Sequence, residues 1–157
     1  MNRFRESLGQ TMIDKDGTAE LADSLLATGG TLVLVGDQHA GDKGVWIEFF
    51  GRMASCHKAL ALFSLLNKAP MLITYVKRLQ QPLRFEVGLA DLFDPALPES
   101  DEMGGVTELT QWYNDVLEDE IRRSPEQYWW LHHRWRDPPA GKRKRKRKAR
   151  QTARRAA

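Results

Sequence analysis

The spacing of apolar residues changes several times along the chain, and each change marks an element. Residues 18–28, TAELADSLLAT, carry Leu and Ala at helical spacing behind Thr18, a suitable N-cap, and Gly29-Gly30 stop the helix. The next five residues, TLVLV at 31–35, form a continuous apolar run rich in β-branched side chains. Such a run predicts a strand buried on both faces, central in an α/β sheet. A loop rich in glycine and charge follows, GDQHAGDKGVWIEFFGR at 36–52, closing on an aromatic pair. Helical spacing returns in ASCHKALALFSLLN at 54–67, and APMLITYV at 69–76 predicts a second buried strand. LRFEVGL at 83–89 alternates apolar and polar residues, as a strand with one wet face does. Pro95, Pro98, Gly104 and Gly105 make 91–105 a loop, and VTELTQWYNDVLEDEIRRS at 106–124 is a long amphipathic helix ending near Pro125.

Helix, strand, loop, helix, strand, strand, helix is an α/β order. Three strands are thin cover for so many apolar side chains, and no strand precedes the first helix. The expectation is that part of the domain lies upstream of residue 1.

Composition sharpens this picture at the C-terminus. The net charge of +3 hides an uneven distribution: residues 142–157 hold ten of the 24 Lys and Arg and no acid. The remaining 14 basic and 21 acidic residues leave the body near −7. The chain is therefore an acidic domain, residues 1–139, followed by a basic stretch, 140–157, expected to be disordered because like charges repel and almost nothing in it can be buried. That stretch has two candidate partners, anionic lipid headgroups and nucleic-acid phosphates, with nucleic acid ranked second. At 41% hydrophobic residues the body can fold, and no apolar run is long enough to span a bilayer. One cysteine, Cys56, excludes an internal disulfide framework.

Several groups invite chemistry. Asp37, His39 and Asp42 could ligate a metal, but their spacing fits no standard ligand pattern, so no metal is expected. Position favours Asp37 and Gln38 as pocket residues, because ligands of open α/β sheets sit beyond the carboxyl ends of strands. Plain turn duty is the competing reading. Cys56 and His57 are neighbours on an expected helix and point about 100° apart, which argues against a thiol nucleophile paired with its own base. The cluster SPEQYWWLHHRWRDPP at 124–139 offers Trp129, Trp130 and Trp135 either as a stacking platform for bases or as a hydrophobic wedge against the domain. The wedge, with its arginines snorkelling outward, is the preferred reading.

Together these segments resemble the bacterial lipid A biosynthesis acyltransferases, the lauroyl and myristoyl transferases, from about residue 2 to residue 138. RESLG matches a pattern of Arg followed four residues later by Gly; DQ and then GVWIEFFG match a second block; APMLITYVKR resembles a strand ending in a basic residue, with Ile73 where the family often has proline; PEQYWWLHHRWR resembles the closing signature. The resemblance implies part of a glycerol-phosphate-acyltransferase-like α/β domain, with a short mixed sheet flanked by helices. It implies transfer of an acyl chain from acyl carrier protein or coenzyme A to a glycolipid hydroxyl, with no other cofactor, at the cytoplasmic face of the inner membrane. It implies substrate-side roles for Arg5, Asp37, Gln38, Gly44, Phe50, Gly51 and Arg78, and a structural signature in Glu126, Gln127, Tyr128, Trp130, His132 and Arg134.

The family's catalytic motif, His followed five positions later by an acid, should lie upstream of RESLG. The single formal match, His132 to Asp137, falls inside the closing signature and runs into Pro138-Pro139, so it is treated as a decoy. The expectation is a truncated acyltransferase of weak or no activity. The alternative is a non-catalytic binding module held to anionic membrane or nucleic acid by the basic stretch.

Overall fold

A computed structural model describes residues 2–13 and 18–136. The expected domain boundary near 139, the basic stretch and Asp137 lie outside the described residues. The helices are α1 (Asn2–Ser7), α2 (Thr18–Ala27), α3 (Ala59–Asn67) and α4 (Val106–Arg123), and the strands are β1 (Val45–Phe49), β2 (Arg52–Cys56), β3 (Met71–Arg78) and β4 (Phe85–Phe93). Short 3-10 turns cover Gly41–Lys43, Pro98–Met103 and Pro125–Gln127. The α/β class holds. The sheet, expected to be short and mixed, consists of two separate antiparallel pairs, β1–β2 and β3–β4.

Three local expectations shift. The stretch after the first apolar run is not all loop: Val45–Phe49 and Arg52–Cys56 pair as a tight hairpin, with Phe49 opposite Arg52. Its two turn residues, Phe50 and Gly51, have φ of 50° and 70°, the left-handed pair that a two-residue hairpin turn of matching twist requires. The helix expected from residue 54 starts at Ala59, because Ala54, Ser55 and Cys56 are taken into β2 and buried there. The apolar run 31–35 is extended but joins neither sheet, and Val33 and Val35 are exposed. Among the described residues no strand pairs with it, and its side chains alternate between exposed and half-buried.

Helix α4 organises the rest. Its N-terminus is held by Glu108, whose carboxylate accepts the Gly105 N–H at 3.0 Å, half of a capping box. One face of α4 presents Leu109 and Tyr113 to Met71, Ile73 and Phe93 of the β3–β4 pair, and to Ala61 of α3. Further along, Leu117 and Ile121 pack against a second cluster, Ile47, Phe49, Ala54 and Cys56, on the β1–β2 hairpin. Both hairpins are thus fastened to one helix, each fully buried side chain of Leu or Phe size contributing about 1.5–3 kcal/mol. No described helix is long and apolar enough to cross a membrane.

Candidate functional site

A cleft of about 350 Å³ opens between the extended run and β3. Leu34, Val35 and Gly36 form one wall, Leu72 to Lys77 the other, and Tyr113, Leu117 and Ile121 of α4 the floor. Asp37, Lys77, Glu120, Gln127 and Tyr128 supply its polar groups. Lys77 and Glu120 form an ion pair at 3.2 Å, and Glu120 also bonds Arg123. The cleft thus combines a mostly apolar lining with a largely buried ion pair and a few further polar groups, a composition of sites that take an apolar ligand with a polar end.

The loop that leaves the extended run, Asp37-Gln38-His39, carries no regular secondary structure and is held from outside. The closing segment does this through three side chains. The Tyr128 hydroxyl reaches the Asp37 carbonyl at a long 3.5 Å. Arg134 Nη1 donates to the Gln38 carbonyl at 3.1 Å. His132 Nε2 accepts the His39 N–H at 3.0 Å. Three successive loop residues are gripped by residues about 90 positions away in sequence. A fourth side chain, Gln127, straddles the end of β3, accepting the Arg78 N–H at 2.8 Å and donating to the Arg78 carbonyl at 3.1 Å.

Arg134 is the centre of this grip. It was expected to snorkel outward and is instead fully buried. Its guanidinium donates to the Ser55 carbonyl at 2.8 Å, to Asn114 Oδ1 at 3.0 Å and to Cys56 Sγ at 2.7 Å, and lies 5.1 Å from the centre of the Phe49 ring. Nε alone has no partner. The reversal has a physical cause: the Gln38 and Ser55 carbonyls, Asn114 Oδ1 and Cys56 Sγ converge on one buried point, and only a forked cation reaches all of them at once. Burial pushes the Cys56 thiol pKa up, with Arg134 and Asn114 pulling against it. A buried, protonated thiol that donates to Asn114 is a structural group, consistent with the argument against a cysteine nucleophile.

The wedge reading of the tryptophans divides. Trp135 stacks on Phe49 and donates its indole N–H to the Phe49 carbonyl at 3.0 Å. Trp130 lies parallel to Trp135, edge-on to Phe50, and donates to the Pro125 carbonyl at 2.7 Å. Trp129 is exposed and takes no part in these stacks.

The other expected site residues separate into groups. Asp37 lines the cleft; the Gln38 side chain is exposed, and that residue acts through its carbonyl. Gly44 sits where any Cβ would come within 2.1 Å of Ser55 Oγ, so its role is close packing against β2. Phe50 and Gly51 form the hairpin turn under Trp130 and Trp135, and Arg78 meets Gln127 through its backbone. Arg5 lies in the exposed helix α1 and is not among the residues lining the cleft; Glu126 is exposed. Among the described residues no three His, Cys, Asp or Glu side chains converge as metal ligands, Asp37, His39 and Asp42 included. His39 packs edge-on to Trp46 at 6.4 Å, and burial, with Arg136 and Arg134 nearby, lowers its pKa below the usual 6.5.

The order of these blocks along the chain is matched as a whole. The family model described as bacterial lipid A biosynthesis acyltransferase covers residues 1–137. The chain belongs to this family. A search of the curated proteins finds no match. Within this lipid A acyltransferase, the closing signature is the part that holds the loop, and two residues that meet Arg134 there were missed by sequence reasoning. The available signals were Asn114, a polar residue on the inner face of α4, and Ser55, a polar residue between Ala54 and Cys56 of β2.

Proposed function

We propose that this acyltransferase moves a fatty acyl chain from an acyl carrier protein or coenzyme A thioester to a hydroxyl of a glycolipid, at the cytoplasmic face of the inner membrane. What supports the reading is the placement of a fixed loop, Asp37-Gln38-His39, at an apolar cleft. An alkyl chain is accommodated by Leu34, Ile73, Leu117 and Ile121. The transfer itself needs a base for the acceptor hydroxyl and donors for the developing oxyanion.

His132 is not that base. Its Nε2 lone pair already accepts the His39 N–H, and the residue does not line the cleft. Removing a proton with Nε2 would release the loop that the same nitrogen holds. The chain alone is therefore expected to turn over slowly or not at all, its contribution being the cleft and the loop. An acyl-transfer assay with acyl carrier protein as donor tests this. We expect little product, and no further loss on His132→Asn, whose amide oxygen can still accept from the loop. Robust turnover abolished by His132→Asn in a protein that melts normally would make His132 the base and overturn this assignment.

A further inference from the structure

The β3–β4 hairpin has a second face that no described residue covers. On the inner face Met71, Ile73 and Phe93 are buried under α4. On the outer face the cross-strand pairs Leu72–Leu92, Thr74–Leu89, Val76–Val87 and Arg78–Phe85 all point to solvent. Seen singly, exposed apolar residues need no explanation; a contiguous run of them does. Towards the tip the pattern intensifies. Val76 is 64% exposed, Val87 73% and Leu83 90%. Leu83 is doubly costly as a solvent residue, since its φ of 57° is a left-handed conformation that Asn or Gly adopts with less strain.

Charge distinguishes among possible occupants of this face. Residues 49–85 contain six Lys and Arg and no acid, whereas residues 86–121 contain eleven Asp and Glu and no Lys or Arg. The switch falls at the hairpin tip. Arg78 and Arg84 flank the tip with exposed side chains, and among the described residues neither makes an ion pair. The acidic Pro98–Met103 turn follows the opposite end of β4. Nine residues of strand, at about 3.4 Å each, put roughly 30 Å between the two ends. The hairpin is thus apolar and basic at one end and acidic at the other.

We propose that the β3–β4 tip is a membrane contact: Leu79, Leu83 and Phe85 enter the headgroup region of an anionic bilayer while Arg78 and Arg84 pair with its phosphates. Apolar side chains flanked by two arginines unpaired among the described residues match an interface that is apolar within and negatively charged at its surface. The acidic end is correspondingly held away from that surface. The proposal rests on the membrane-surface part of the function above and not on acyl transfer.

The test uses the full 157-residue chain with Leu83→Cys carrying a polarity-sensitive fluorophore. Cys56, being buried, does not compete for the label under native conditions. On vesicles of phosphatidylglycerol mixed with phosphatidylcholine the label should shift to the blue. The same label on Glu99→Cys, at the acidic end, should not shift. Pure phosphatidylcholine should bind more weakly, and Arg84→Ala should weaken binding to the anionic vesicles by roughly fivefold. Leu83→Asn provides the reading that a structural role would not give: unchanged or higher thermal stability together with weaker vesicle binding. Binding with an unmoved label at position 83 would overturn the proposal and leave the membrane reading to the basic stretch. No vesicle binding at all would sink both. A blue shift that appears on concentrating the protein without lipid would assign the face to a second copy of the chain and overturn it as well.

Discussion

The two hairpins are built alike and finished differently. β1–β2 is enclosed: α4 packs against Ile47 and Phe49, and the closing segment covers it with Trp135, Trp130 and the buried Arg134. β3–β4 is buried on one face and bare on the other. The first hairpin leaves only Glu48, Arg52 and Met53 exposed on its strands, and its Phe49 and Phe50 rings are taken up in packing against the closing segment. The second spends few side chains internally, and its outer face and tip remain available. Rigid support and surface contact have been given to separate pieces of similar shape, so each can be disturbed without the other.

Substitutions at the enclosed hairpin should be the most damaging. Arg134→Met removes charge-assisted hydrogen bonds to the Gln38 and Ser55 carbonyls and to Asn114, each contributing about 1.5–3 kcal/mol. A total loss of about 3 kcal/mol or more is expected in urea unfolding, with faster amide exchange at His39. Trp135→Ala should cost about 2–3 kcal/mol, since it opens space against Phe49 and removes a donor from its carbonyl. Gly51→Ala should cost about 1 kcal/mol, because φ of 70° strains any Cβ even though open space surrounds it. The bare face gives the contrast: Val76→Thr and Val87→Thr, both directed to solvent, should each fall within about 0.5 kcal/mol of the parent.

Acidity probes the enclosed side more gently. His39 has a lowered pKa, so below 6.5 the unfolded chain takes up a proton that the folded one resists, and stability falls as pH falls. Cys56 has a raised pKa, so above 9.0 the unfolded thiol ionises first, and stability falls as pH rises. Thermal melting should therefore be highest between these limits. His39→Gln should flatten the acid limb and leave the alkaline one.

Much of this was legible in the chain before any coordinates. The switch in period at 106 gave α4 to within a residue of its end; the apolar run at 69–76 located β3, although only one of its faces is buried, and the alternation at 83–89 located β4, which runs on to Phe93. The wedge expected of the closing segment is formed by Trp130 and Trp135 and not by Trp129, which is exposed. The β1–β2 hairpin was missed because Phe50-Gly51 is a poor turn signal: an aromatic at positive φ is tolerated only because Trp130, Trp135 and the Arg122 guanidinium pack on its ring. That compensation comes from residues some 70 to 85 positions away. The inward turn of Arg134 was missed for the same reason: whether an arginine points out or in depends on which carbonyls face it, and sequence spacing does not say. The run 31–35 was read as a paired strand because its composition asks for one.

One consequence of the grip on the loop concerns length rather than chemistry. Gln127, Tyr128, His132 and Arg134 each reach a different fixed atom on β3 or on the 37–39 loop. The intervals between them are set by those atoms. Inserting or deleting a single residue between 127 and 134 would leave every side chain intact and disengage at least one from its target. This stretch can change many of its letters more safely than it can change their number.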